Sequence, residues 1–177
     1  MSTYIALLRG INVSGQKKII MAELRTLLAK AGLKNVRTYI QSGNIVFEPN
    51  DSAKTVDFTI HQAILKKYGF EVPIMVFEQS FLTQVIQENP FLKKEPDLDI
   101  KMLYVAFLSE KPTPDRLKIL QEKYMGDDEF ILSEKVVYLY YKNGAGRTKL
   151  TNNYLETHLK IKATSRNWRT TLKLKSM

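Results

Sequence analysis

The chain has 177 residues, 44% of them hydrophobic and 25% charged, and no cysteine. That length buries about 70% of the unfolded surface in one domain or two small subdomains, and the missing thiols exclude a disulfide scaffold, a thiolate nucleophile and thiolate metal sites. The net charge of +9 is unevenly placed: seven Lys/Arg against one Asp/Glu over residues 1–47, eleven against sixteen over 48–141 and nine against one over 142–177, or +6, −5 and +8. A basic beginning and end around an acidic middle predict one electropositive face if the ends meet in space, and two unrelated solvated surfaces if they do not. The opening Met1 to Arg9 has no basic lead-in, and its apolar run breaks at Arg9, so no signal peptide is read. No apolar run approaches the ~20 residues that span a bilayer. The expectation is a cytoplasmic protein with no membrane partner.

Tyr4–Leu8 is apolar at every position and predicts a strand covered on both faces. The basic, glycine-punctuated loop Arg9-Gly10-Ile11-Asn12-Val13-Ser14-Gly15-Gln16-Lys17-Lys18 follows. Met21–Ala31 carries Leu24, Leu27, Leu28 and Ala31 at the spacing of a core-facing helix, and Gly32 ends it. Val36–Ile40 and Asn44–Phe47 are short β-rich runs joined by the turn residues Gln41-Ser42-Gly43. Asp51 or Ser52 is read as the cap of a helix that buries Val56, Ile60, Ala63 and Ile64 and ends near Gly69, and Val72–Phe77 as a fourth strand. The order β-α-β-β-α-β is the split pattern of a ferredoxin-like unit.

Ser80 opens a short helix that stops before Pro90. The charged, proline-broken stretch 93–99 is read as a linker between subdomains 1–92 and 100–177. The pattern then restarts with an apolar strand, Met102–Leu108, and with Thr113-Pro114 as N-cap and first residue of a helix containing Leu117, Leu120 and Tyr124. Phe130–Leu132 and Val136–Tyr141 form a hairpin across Ser133-Glu134-Lys135. A second glycine-punctuated basic loop, Lys142 to Thr148, feeds a helix from about Lys149 anchored by Leu150, Tyr154 and Leu155. A last helix is expected from near Ser165 or Asn167, burying Trp168 and Leu172. The predicted class is α+β, with two ferredoxin-like (alpha-beta plait) subdomains packed together, the second being βαββα with that last helix.

The two basic loops are the chief candidate sites. Glycines that admit positive φ turn backbone N–H groups inward, and a following helix N-terminus favours an anion. In the first loop Arg9, Gly10, Asn12, Gly15 and Lys17 are the candidate ligand-binding residues, with Ser42 and Asn44 of the neighbouring turn adding donors; in the second they are Gly146, Arg147 and Lys149. Gly10 and Gly15 have P-loop spacing, but Gln16 stands at the lysine position and Lys17 at the hydroxyl position, which excludes a Walker site. Thr148 is read as an N-cap rather than a catalytic hydroxyl. Arg166, Asn167 and Trp168 complete the candidates, Trp168 reading either as a platform for a stacked base or as a core anchor. The two histidines, His61 and His158, have no partner at metal-ligand spacing, and the acids Asp97, Asp99 and Asp127-Asp128-Glu129 read as solvated, so neither a metal nor a cofactor is predicted. Asn44 to Glu48 lacks the aromatic sequence of a standard RNA recognition motif.

Several segments together resemble a known family: Ala6 to Val13, Met21 to Arg25, Val36 to Asn44, Val105 to Leu108, Gly146 to Asn152 and Ala163 to Trp168. They are similar to the bacterial family of uncharacterised proteins catalogued as domain of unknown function 1697, over nearly the whole span from Tyr4 to Leu174. The resemblance implies two α+β subdomains of ferredoxin-like plait type and implies no activity. The family commonly has glycine where this chain has Ser14, and serine where it has Thr148. From the residues, three readings follow: a binding module for an anionic or phosphate-bearing partner, either nucleic acid or a phosphate-containing small molecule; an enzyme on a small anionic substrate, for which no general base is identified; and a protein-interaction scaffold without a ligand site. Catalytic residues and oligomeric state are not assigned.

Overall fold

The computed structural model describes residues 2–49 and 55–177. The elements run β1 (Tyr4–Leu8), α1 (Met21–Lys30), β2 (Lys34–Tyr39), β3 (Asn44–Glu48), α2 (Val56–Tyr68), β4 (Ile74–Glu78), α3 (Gln79–Gln87), α4 (Pro90–Lys94), β5 (Leu103–Leu108), α5 (Pro114–Lys123), β6 (Glu129–Ser133), β7 (Val136–Tyr140), α6 (Asn152–Leu159), β8 (Ala163–Asn167) and α7 (Trp168–Lys175). They form two compact units, Met1–Thr83 with Leu174–Met177, and Gln84–Lys173. Each unit is built on a four-stranded antiparallel sheet, of order β2-β3-β1-β4 in the first and β6-β7-β5-β8 in the second. Both are therefore ferredoxin-like, βαββαβ with the first strand inside the sheet, and the chain is α+β as its pattern predicts.

In the first unit Ala6 and Leu8 of β1 and Ile45 and Phe47 of β3 join Leu24 and Leu28 of α1 and Ile60 and Ile64 of α2 in one core cluster. The alternate residues Ile5, Leu7 and Val46 are fully buried as well, which is why β1 has no polar position. In the second unit the corresponding cluster joins Ala106 and Leu108 of β5 and Val137 and Leu139 of β7 to Leu120, Leu155 and Leu159 of the helices, and Leu103, Val105 and Phe107 are again buried on the alternate positions. Removing any of these large aliphatic side chains costs about 2–5 kcal/mol. Helix ends follow local chemistry. Gly69 closes α2 at φ 74° with its N–H on the Leu65 carbonyl, and Thr113 caps α5 by accepting from Arg116 N.

Four local expectations are revised. Residues Ala163 to Asn167 form a strand, β8, where only a helix start was anticipated; the run is polar because β8 is a sheet edge, paired on one side alone with β5. The second unit is thus a complete βαββαβ. The last helix buries Trp168, Thr171 and Leu174, a spacing of three, and leaves Leu172 36% exposed. The helix after the second basic loop begins at Asn152, capped by Thr151, whose hydroxyl accepts from Tyr154 N, so Thr148 has another role. A short helix, α4, precedes the 93–99 stretch; Asn89 caps it by accepting from Phe91 N at 2.9 Å, and Phe91 packs on Tyr140 of β7, so this stretch lies within the second compact unit. The proposed caps Asp51 and Ser52 fall outside the described residues. No helix among the described residues is long and apolar enough to cross a membrane, and no group of three His, Cys, Asp or Glu among them is placed to hold a metal.

Candidate anion-binding site

In the second unit the β7–α6 connection, residues 141–151, is built around one carboxylate. Asp128, just before β6, accepts the Lys142 N–H at 2.9 Å through Oδ1 and the Thr148 hydroxyl at 2.6 Å through Oδ2. Tyr124, at the end of α5, donates its hydroxyl to Asp128 at 3.4 Å and accepts the Asp128 N–H at 3.2 Å. Thr148 in turn accepts the Leu150 N–H at 3.0 Å, so its hydroxyl links Asp128 to the approach of α6. The Tyr141 hydroxyl donates to the Leu150 carbonyl at 3.0 Å and closes the base of the loop. Burial is the main cause raising the Tyr124 hydroxyl above its ordinary range, with Asp128 and Asp127 adding negative charge nearby. Gly126 is fitted to this arrangement: a Cβ there would stand 2.2 Å from the Tyr124 hydroxyl oxygen.

Between the β7–α6 connection and the α5–β6 connection, residues 124–128, lies a hollow of about 140 Å³ lined by Tyr124, Met125, Gly126, Asp127, Asp128, Asn143, Arg147 and Lys149. Asn143, Arg147 and Lys149 are exposed, and the side chains of Arg147 and Lys149 have no hydrogen-bond or ion-pair partner among the described residues. A fixed loop thus presents two unpaired cations and an amide to a concavity. That arrangement attracts a compact anion, and a planar guanidinium offers two parallel donors to a phosphate or carboxylate.

The first loop is organised differently. Ser14 and Gly15, at φ 50° and 75°, form a tight reverse turn with Gln16 N donating to the Val13 carbonyl at 2.9 Å, the positive φ pair of a type I′ hairpin. The Asn12 side chain holds the turn in place: Nδ2 donates to the carbonyls of Ile19 (2.9 Å) and Gln41 (2.8 Å), and Oδ1 accepts from Ile19 N (2.9 Å). Lys17 Nζ donates to the Glu71 carbonyl at 2.7 Å and lies 6.0 Å from the Phe70 ring centroid. In the neighbouring turn Asn44 is wholly buried, donating to the Tyr39 carbonyl at 3.0 Å and the Ser42 hydroxyl at 2.9 Å. Of the seven candidates here, Asn12, Lys17, Ser42 and Asn44 therefore have side chains engaged within the unit; Arg9 is partly buried, and Gly10 and Gly15 are exposed. The loop does not run directly into α1, whose N-cap is Ile20.

The remaining candidates lie at β8 and the start of α7. Arg166 Nη1 donates to the Ser165 carbonyl at 2.9 Å, and burial pushes its guanidinium down to about 10, which leaves it charged at neutral pH. Asn167 accepts the Arg169 N–H at 2.9 Å in the manner of an N-cap and donates to the Lys101 carbonyl at 3.3 Å. Trp168 is 1% exposed, which favours the core-anchor reading over a stacking platform. Thus Arg147 and Lys149 are brought together at one hollow with Asn143, Asp127 and Asp128, which the sequence reading had not placed there. The available signal was topological. In a βαββαβ unit the α–β connection that precedes the second strand and the connection that follows the third come to the same end of the sheet.

Comparison with known proteins adds a family and a fold. The family described as "Protein of unknown function (DUF1697)" matches residues 1–138. A solved structure of a conserved bacterial protein from Streptococcus pneumoniae superposes with a TM-score of 0.75 at 24% identity, covering 99% of this chain and 97% of that one. At that identity the likeness concerns the fold. No curated protein matches the sequence.

Proposed function

The chain belongs to the DUF1697 family, whose description names no activity, and we propose from its own residues that it is a binding module for an anionic, phosphate-bearing ligand held at the β7–α6 loop. One observation carries the reading: Arg147 and Lys149, without partners among the described residues, line one hollow whose walls are fixed by Asp128. Arg147 supplies a bidentate donor set, Lys149 a point charge, and Asn143 a neutral amide donor. Gly146, beside Arg147, is exposed and carries no side chain of its own. Binding is favoured over turnover because, of the two carboxylates in the hollow, Asp128 already accepts from Lys142 N–H and Thr148 and Asp127 is exposed to water, and no histidine lines the hollow among the described residues. The partner is a phosphate-containing small molecule or the phosphate of a nucleic acid, met in the cytoplasm.

Titration of the full chain with inorganic phosphate and with a short DNA duplex, followed by amide chemical shifts, tests the proposal. Phosphate is expected to move the amides of Gly144, Gly146 and Arg147 first. If two cations contact backbone phosphates, log K for the duplex falls with log salt at a slope of about −1.8. Arg147→Ala with Lys149→Ala is expected to weaken phosphate binding by at least about tenfold while leaving the melting curve in place, since exposed substitutions shift stability by about 0.5 kcal/mol or less. No phosphate-dependent shift at low salt, or an unchanged affinity in the double variant, overturns the reading.

A further inference from the structure

The hollow is dipolar, and the arrangement of its charges narrows the ligand. Its cations, Arg147 and Lys149, come from the β7–α6 connection, and its acids, Asp127 and Asp128, from the α5–β6 connection. Two positive and two negative groups face one space, yet no ion pair within 4.0 Å forms among them. The same two connections do pair beside the hollow, where Lys142 Nζ meets Glu129 Oε1 at 2.9 Å. Opposite charges that pair at one point and stand apart at the next leave a gap with a positive and a negative wall. Asp128 is committed to holding the loop, so the carboxylate on the acidic wall with no hydrogen-bond or ion-pair partner among the described residues is Asp127, which is exposed.

A simple polyanion in this gap is attracted by one wall and repelled by the other. A ligand with an anionic group and a cationic group a few bonds apart is attracted by both. Size agrees with something small: about 140 Å³ lies well below the roughly 300–1,000 Å³ of sites that take drug-sized ligands. We infer that the site takes a small zwitterion, a phosphate monoester bearing an ammonium group, with its phosphate on Arg147 and Lys149 and its ammonium on Asp127. This rests on the anion-binding reading above and adds the second charge.

The test compares O-phosphoethanolamine with ethyl phosphate, which has the same phosphate and no ammonium, by titration calorimetry on the full chain. The zwitterion is expected to bind about fivefold more tightly, the scale of one partly exposed ion pair. Asp127→Asn is expected to abolish that preference and leave ethyl phosphate binding as tight or slightly tighter, whereas Arg147→Ala weakens both ligands. Equal affinity of the two ligands for the unmodified chain overturns the zwitterion assignment and leaves the anion site standing. Failure of both to bind overturns the anion reading with it. Vesicles containing phosphatidylethanolamine, whose headgroup is a phosphate diester, are expected not to bind; binding there without a response to phosphoethanolamine overturns the small-ligand assignment in favour of a lipid surface.

Discussion

The two glycine-punctuated basic loops look alike in sequence and behave differently in structure. In the β1–α1 loop, Asn12 and the exposed Lys17 fasten the loop to the carbonyls of Ile19, Gln41 and Glu71. In the β7–α6 loop the fastening is done by a carboxylate from another connection, Asp128, and the basic side chains Arg147 and Lys149 remain directed at a hollow. The difference follows from which acceptors are near. Residues 1–47 contain a single acidic residue, Glu23, so the first loop has to be tied down by its own polar side chains against backbone carbonyls. The acidic run Asp127-Asp128-Glu129 relieves the second loop of that task. A cation in a loop is available to a ligand when some other group holds the loop.

The comparison is broken most severely at Gly43. A Cβ there would stand 2.5 Å from Leu8 Cβ and 2.9 Å from Ile11 Cδ1, at a φ of +80° that L side chains rarely adopt. Gly43→Ala is expected to cost about 3 kcal/mol in urea denaturation, combining left-handed strain with overpacking, and to disturb the turn that Asn12 grips. A loss under about 1 kcal/mol would show that the turn yields easily and that the first loop is less firmly held than its hydrogen bonds indicate. Next in size is a matched pair, Asn12→Ala and Asp128→Ala. Each removes the central fastener of one loop and is expected to cost about 2 kcal/mol, because several hydrogen bonds are lost and their partners are left behind. Only Asp128→Ala is expected to weaken phosphate binding as well, by at least about threefold, since only there does the loop carry the cations in question. Equal effects on phosphate binding from both variants would erase the distinction between the loops.

Much of the fold was legible because its signals are periodic. The wholly apolar Tyr4–Leu8 and the run ending at Leu108, the leucine stripe of α1, and Thr113-Pro114 at the head of α5 each state their element locally. β8 was not legible: Ala163-Thr164-Ser165-Arg166-Asn167 has no alternation of apolar and polar residues, and it is a strand because β5 offers it an edge. The same limit applied to the site. Glycines and basic residues marked both loops, but nothing in either loop says whether its side chains are bound internally. That depends on Asp128, about twenty residues before Thr148, which reads as one more solvated acid until the topology brings the two connections together. Treating the loops as equivalent also obscured their places in the repeat. One follows the first strand of its unit and the other follows the third, so they belong to opposite ends of the βαββαβ plan.

The smallest effect sharpens the comparison at the root of the second loop. Tyr141 is buried and donates to the Leu150 carbonyl, and its hydroxyl is held far above its ordinary value by burial first and by the neighbouring Tyr104, Asp128 and Tyr124 second. At neutral pH, Tyr141→Phe removes one hydrogen bond and leaves the carbonyl unpaired, a loss of about 1 kcal/mol. The sign reverses in alkali. An unfolded tyrosine ionises near pH 10 while the folded Tyr141 keeps its proton, so its contribution is complete below about pH 10 and declines by about 1.4 kcal/mol for each pH unit above it. Phenylalanine has no proton to lose and escapes that decline. The stability gap between the parent chain and Tyr141→Phe, measured by urea denaturation, is therefore expected to close near pH 11. Both chains keep an alkaline decline from Tyr138, whose hydroxyl is likewise raised by burial and donates to the Val85 carbonyl, and it cancels in the gap. A gap that stayed constant from pH 7 to 11 would mean that Tyr141 titrates alike in both states, and that the loop's base is open to water rather than closed beneath the cations it supports.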